Sequence, residues 1–210
     1  MKYDYSLYLV TDRRYKNGRA LEEAVEQAIE GGCTMVQLRE NNITSAEFYS
    51  EARAVKQITD RYGIPLIINN RADIALAVNA AGVHIGQSDI PAAPVRKMIG
   101  QDRLLGVSVT SLQEALKARD DGADYLGVGA MLPTKTKEDA KIVPVSELCR
   151  IRQAVKLPIV VIGGIRKENA AKFLRLGADG LAVISAILAQ PDIRQAAEEL
   201  RDICRICSFS

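Results

Sequence analysis

The sequence lacks a charge of one sign. Its 28 Lys and Arg face 26 Asp and Glu, a net charge of +2. A chain so balanced presents no global field for nucleic acid or an anionic membrane, so any anion site on it must be local. It also lacks long hydrophobic runs. None approaches the roughly 18 apolar residues that span a bilayer. The opening stretch MKYDYSLYLVTDRR has neither the basic start nor the long apolar core of a signal peptide. Cysteines are few: Cys33, Cys149, Cys204 and Cys207. Cys204 and Cys207 form a CxxC in the last turn of a terminal helix-like segment, with no second pair and no nearby histidine. That spacing is read as incidental, with reduced thiols in a cytoplasmic protein, rather than as zinc or redox chemistry. The first turn after the opening apolar run, TDRRYKNGR, has no GxGxxG, which argues against a dinucleotide-binding open sheet.

What is present is alternation. Short apolar runs recur at 6–12, 35–40, 65–70, 82–86, 104–109, 125–131, 158–165 and 180–186. Between them lie amphipathic stretches such as LEEAVEQAIEGG and SLQEALKARDDGA, with apolar positions at the helical spacing of three and four. Several end in Gly-Ala or Gly-Gly, a stop signal for a helix that turns into a strand. Strands apolar on both faces belong to a parallel sheet wrapped by helices. Eight such units in 210 residues, with 48% hydrophobic content and no long insertion, predict a single (β/α)8 TIM barrel over residues 1–210.

A barrel places its active site at the C-terminal ends of its strands. Polar residues collect there: Gln37, Arg39 and Glu40 after the second run, Asn69, Asn70 and Arg71 after the third, His84, Gln87 and Asp89 around the fourth, and Ser108 in the fifth. The sixth runs into PTKTK, with Thr134, Lys135, Thr136 and Lys137. At the ends of the seventh and eighth, IGGI and VISAI point to a phosphate held by backbone N–H groups, with Gly163, Gly164, Ile184 and Ser185 as its positions. A second anion site is expected across the rim. There Arg39 grips oxygens bidentately, Asn69 donates an amide N–H and Lys137 adds a mobile charge. Asp89 has the wrong sign for a phosphate and the right one for Mg²⁺ bridging to a diphosphate.

YLVTD, VQLRE, IINNRAD, GVHIGQSD, GVSV, DYLGVGAMLPTKTK, IGGI and GADGLAVISAI together resemble the thiamine phosphate synthases in order and spacing, from about residue 6 to residue 190. The resemblance implies a transferase that joins a hydroxymethylpyrimidine diphosphate to a thiazole phosphate and releases diphosphate, with Mg²⁺ as cofactor. Arg39, Asn69, Thr134, Thr136 and Lys137 would hold the diphosphate, and Asp89 with Asn70 the metal. Gln37, His84 and Ser108 would face the pyrimidine, while Gly164, Ile184 and Ser185 would take the thiazole phosphate. Arg39, Ser108 and Lys137 carry the catalytic roles. Ionisation needs charge stabilisation of a departing anion and no strong protein base, so His84 is read as a positioning residue, neutral near neutral pH.

Two positions depart from the family pattern. Asn41 stands where members commonly have lysine, and Asn70 where they commonly have aspartate. They suggest one alternative, a non-catalytic paralogue that binds thiamine or thiazole phosphate; a thiazole tautomerase-like enzyme of the same fold is a second. The expected partners are small molecules, with no nucleic acid and no membrane. Whether the barrel forms a homodimer is left open.

Overall fold

Each apolar run forms a strand, and nearly every strand is shorter than its run. The computed structural model describes residues 3–15, 18–134, 136 and 141–208. Its strands are β1 (Leu7–Val10), β2 (Met35–Leu38), β3 (Leu66–Asn69), β4 (Gly82–Ile85), β5 (Leu104–Val109), β6 (Tyr125–Val128), β7 (Ile159–Val161) and β8 (Gly180–Val183). All neighbours pair in parallel, and β8 closes onto β1 through Tyr8 opposite Ala182. The predicted eight-stranded barrel is therefore the observed fold. Residues beyond the last ladder pairs leave the sheet as loops, which is how Arg39, Asn70 and Ile162 come to stand on the rim.

The helices are α1 (Leu21–Glu30), α2 (Ser45–Arg61), α3 (Ala72–Ala77), α4 (Ala92–Ile99), α5 (Leu112–Asp120), α6 (Val145–Ala154), α7 (Lys167–Arg175), α8 (Ser185–Leu188) and α9 (Ile193–Ser208). Local chemistry starts and stops them. Thr44 and Glu47 form a reciprocal capping box at α2, the Glu47 N–H donating to Thr44 Oγ1 at 3.2 Å and the Thr44 N–H to Glu47 Oε2 at 2.8 Å. Ser111 caps α5 in the same sense, accepting from the Glu114 N–H.

One stop signal is used twice. Gly122-Ala123-Asp124 follows α5 and Gly177-Ala178-Asp179 follows α7. Asp124 accepts the Leu105 N–H and a guanidinium hydrogen bond from Arg96 of α4; Asp179 accepts the Ile159 N–H and one from Arg152 of α6. Each aspartate thus ties a helix to a strand entrance at the bottom of the barrel. Gly177 has φ +94°, and a Cβ there would sit 2.9 Å from the Arg152 stem, so the turn needs glycine for conformation and for space.

Two apolar cores result. Alternate strand residues such as Leu7, Val36, Ile68, Leu105, Leu126 and Val161 face the helices. The other set fills the barrel: Tyr8, Met35, Ile67, Leu104, Tyr125, Val160 and Ala182. Moving up the same inward-facing set, one step toward the C-terminal ends, the residues become polar: Gln37, Asn69, His84 and Ser108. The strand period of two carries this change from oil to hydrogen bonds, and it forms the floor of the bowl.

Candidate active site

The bowl is a cavity of about 520 Å³ at the C-terminal ends of the strands. Every described position expected to bind substrate or metal lines it: Gln37, Arg39, Asn69, Asn70, His84, Asp89, Ser108, Thr134, Thr136, Gly164, Ile184 and Ser185, with Asn41 beside them. Glu40 and Arg71, expected on the same rim, do not, and pair instead with Arg13 and Asp73. Lys135 and Lys137 lie outside the described residues. A wider cleft of about 830 Å³ between the β7 loop and α9 shares Thr134, Gly164 and Ser185 with the bowl.

On the β2 side stands a charge cluster that the sequence reading missed in part. Asp12, buried at the end of β1, accepts hydrogen bonds from Arg14 Nη2 at 2.6 Å and from Arg39 Nη1 at 3.4 Å. Burial alone would raise the Asp12 carboxyl; the hydrogen bonds and charge of Arg14, with the charge of Arg39, outweigh it and hold the group below the usual carboxylate range. With its amide in the orientation that pairs both atoms, Asn41 Oδ1 accepts from Arg39 Nη2 at 3.1 Å and its nitrogen donates to the Glu40 carbonyl at 3.3 Å. Asp12 and Asn41 thus grip one guanidinium from two sides, which fixes its plane at the bowl's edge. Arg14 also donates from Nη2 to the Thr136 carbonyl at 2.7 Å, strapping the β1 loop to the PTKTK loop. Thr134 Oγ1 accepts the Thr136 N–H at 3.2 Å, a local turn within that loop. At the loop's far end Ala130 donates to the Lys141 carbonyl and accepts from the Val143 N–H, and Lys141 is a described lysine that lines the cavity.

The floor is one connected polar chain. Asn69 Nδ2 donates to Gln37 Oε1 at 3.0 Å, and Gln37 Nε2 to the Tyr8 hydroxyl at 3.0 Å. The Tyr8 and Tyr125 hydroxyls meet at 2.8 Å, Tyr125 meets His84 Nδ1 at 3.0 Å, and His84 Nε2 meets Ser108 Oγ at 2.8 Å. Burial pushes the His84 pKa down to about 4, so the ring is neutral near pH 7. Burial likewise raises both tyrosines above their ordinary value, keeping them protonated. In the sequence Tyr8 and Tyr125 belong to apolar strand runs, and nothing local marks their hydroxyls for a polar role. Asn69, expected as an amide donor to an anion, has its nitrogen engaged with Gln37 and, at 3.4 Å, with the His84 carbonyl, and its Oδ1 is the atom left over.

Asn70 and Asp89 stand against the end of β4. The Asn70 N–H donates to the His84 carbonyl at 2.9 Å, and Asp89 Oδ2 accepts the Gly86 N–H at 2.6 Å. Asn70 takes φ +62°, a left-handed conformation that asparagine tolerates. Among the described residues no three of His, Cys, Asp and Glu gather to hold a metal. One carboxylate and one carboxamide, both oxygen donors, suit a hard cation that brings its own phosphate and waters, so these residues fit Mg²⁺ in that mode.

Across the bowl the donors are backbone. Gly163 and Gly164 have φ +93° and +70°. Asn169 donates to the Gly164 carbonyl at 2.9 Å and accepts the Arg166 N–H at 3.0 Å, clipping the glycine turn to α7. Among the described residues the Gly163 and Gly164 N–H groups donate to no other backbone or side-chain acceptor. Ser185 opens α8 beside them. Such an arrangement of backbone N–H groups can take a tetrahedral anion.

The chain matches the family model described as thiamine monophosphate synthase over residues 7–187. It is 60% identical to the thiamine-phosphate synthase of Clostridium beijerinckii and 56% identical to that of Ruminiclostridium cellulolyticum, with 96% of each chain covered in both comparisons. The solved thiamine phosphate pyrophosphorylase from Pyrococcus furiosus superimposes with a TM-score of 0.91 at 41% identity, over 98% of both chains.

Proposed function

Since the chain belongs to the thiamine monophosphate synthase family, a family of transferases, we propose that this bowl joins a hydroxymethylpyrimidine diphosphate to a thiazole phosphate. The observation that carries the reading is one cavity with two unlike walls, each suited to an anion: the Arg39 cluster on one, the Gly163–Gly164 turn on the other. Two phosphorylated substrates would enter it from opposite sides with their reacting ends toward the floor.

The bond between the exocyclic carbon and the diphosphate oxygen breaks, and its electron pair leaves with the diphosphate. The thiazole nitrogen then supplies the pair for the new C–N bond, giving thiamine phosphate. Arg39, held flat by Asp12 and Asn41, would take charge developing on the leaving oxygens; Thr134, Thr136 and Lys137 are proposed to complete that grip. Preorganised donors of this kind act because they need no reorientation as charge develops. Ser108 and Gln37 would orient the pyrimidine over the floor. Mg²⁺, held by Asp89 and Asn70, would neutralise diphosphate charge. Gly164, Ile184 and Ser185 would hold the thiazole phosphate through backbone N–H groups. No protein base is required, which agrees with a histidine that is buried and neutral.

The partners are small molecules, and no described helix is long and apolar enough to cross a membrane. A cytoplasmic location draws support from the four free cysteines, and a homodimer is the assembly that sedimentation equilibrium would test. The proposal is tested by incubating both substrates with Mg²⁺ and following thiamine phosphate and diphosphate. Tight binding of thiamine phosphate without turnover would refute it in favour of a binding protein.

A further inference from the structure

The polar floor runs in one direction, and a single backbone carbonyl decides which. The His84 carbonyl can only accept, so the Asn69 atom 3.4 Å from it is the amide nitrogen. Asn69 therefore gives its other hydrogen to Gln37 Oε1, and Gln37 must turn Nε2 toward Tyr8. Tyr8 is wholly buried and now accepts from Gln37; its own hydrogen goes to Tyr125. Tyr125, equally buried, passes its hydrogen on to His84 Nδ1. A neutral imidazole that accepts at Nδ1 carries its proton on Nε2 and donates it to Ser108 Oγ. Ser108 lines the bowl, and its hydroxyl hydrogen has no other described acceptor.

The reverse direction would put Asn69 Oδ1 against the His84 carbonyl, two acceptors facing each other. It would also turn Ser108 into a donor toward His84, with only lone pairs left for the bowl. The two directions thus predict opposite recognition at the same hydroxyl. Steric space for the chain comes from Gly106 on β5, where a Cβ would collide with both the Tyr125 ring and His84.

We infer that Tyr125, backed by Tyr8, is a positioning residue that locks His84 in its Nε2–H tautomer, so that Ser108 presents a hydroxyl hydrogen to a substrate acceptor. On the synthase reading, which this inference deepens, the acceptor is an sp² ring nitrogen of the pyrimidine. Tyr125 does not line the bowl and acts through His84, with Tyr8 behind it.

The chain has one histidine, so histidine-selective nitrogen-15 labelling reports His84 alone. Long-range proton–nitrogen correlation spectra of the ligand-free protein should show Nε2 protonated and Nδ1 unprotonated. Tyr125→Phe should shift population toward Nδ1–H and lower kcat about 10–100-fold, the usual cost of removing an orienting partner, with KM changing less than kcat. Ser108→Ala should leave the Nε2–H tautomer in place, because the tyrosine side sets it; this small substitution carries the test if Tyr125→Phe does not fold. An Nδ1–H ring in the wild type overturns the inference. So does a tautomer lost in Ser108→Ala, or a Tyr125→Phe variant whose tautomer or kcat is unchanged. If the wild type turns over neither substrate, the synthase reading fails while the spectra still decide the direction of the chain.

Discussion

On its β2–β5 side the bowl is lined by polar and charged side chains, above all Arg39, His84, Asp89 and Ser108, whereas on the β7–β8 side it is lined by backbone at Gly163, Gly164 and Ser185. The side-chain wall rests on further side chains: Asp12 and Asn41 behind Arg39, Tyr125 behind His84. The backbone wall rests on conformation and close approach, with Leu132 and Pro133 pressed against Gly164. The first wall should therefore be sensitive to changes of charge and hydrogen bonding, the second to added volume.

The largest effect is expected at Arg39. Arg39→Ala should raise the barrier by about 2–4 kcal/mol, the range for loss of one preorganised donor, seen in steady-state kcat. Arg14 still holds Asp12 at 2.6 Å, so thermal stability should change little. A loss below about fivefold, under 1 kcal/mol, would show that this wall does not carry the leaving group.

The next concerns His84 and acid. Its folded pKa of about 4 lies below the ordinary 6.5 because burial penalises the imidazolium. The unfolded chain takes up the proton first, so this contribution is complete above 6.5 and is lost as pH falls toward 4. From about pH 7.5 to pH 5, some 2 kcal/mol of stability should go through this group. Urea unfolding of wild type against His84→Gln measures it: the variant should lose that much less. Equal losses would place the proton uptake elsewhere.

Gly164→Ala probes the other wall. Its φ of +70° costs a side chain about 1–2 kcal/mol, and the new Cβ would lie 2.7 Å from Leu132 Cβ. We expect KM for the thiazole phosphate to rise roughly tenfold, about 1.4 kcal/mol, while KM for the diphosphate substrate holds. If both rise together, the walls are one site rather than two.

The smallest effect is expected from Asn70→Asp. It adds a second carboxylate to the lining of the bowl that holds Asp89 without new backbone strain, since aspartate also tolerates φ near +62°. The Mg²⁺ concentration for half-maximal rate should drop a few-fold. An unchanged midpoint would place the metal away from these two residues.

Much of this protein was legible in its sequence. Near-continuous apolar runs separated by helical periods specify eight parallel strands, and the barrel then places their C-terminal residues on one rim. That logic alone brought Arg39, Asn69, Asp89 and Gly164 to one cavity, although they are scattered over 126 positions of the chain. It works because strand order in a barrel follows chain order, so end-of-strand positions are neighbours by construction.

The supports behind those residues were decided by tertiary structure. Asp12 reads as a strand terminator until Arg14 and Arg39 close on it from different loops. Tyr8 and Tyr125 read as core aromatics, and their bodies are core; only their hydroxyls are polar, and these meet across 117 residues of sequence. A strand period of two says that a side chain faces the barrel axis but not what it meets there. That is set by the cross-section of the closed barrel, where residues from opposite strands share one axis, and by one His84 carbonyl that leaves the Asn69 amide a single way to turn.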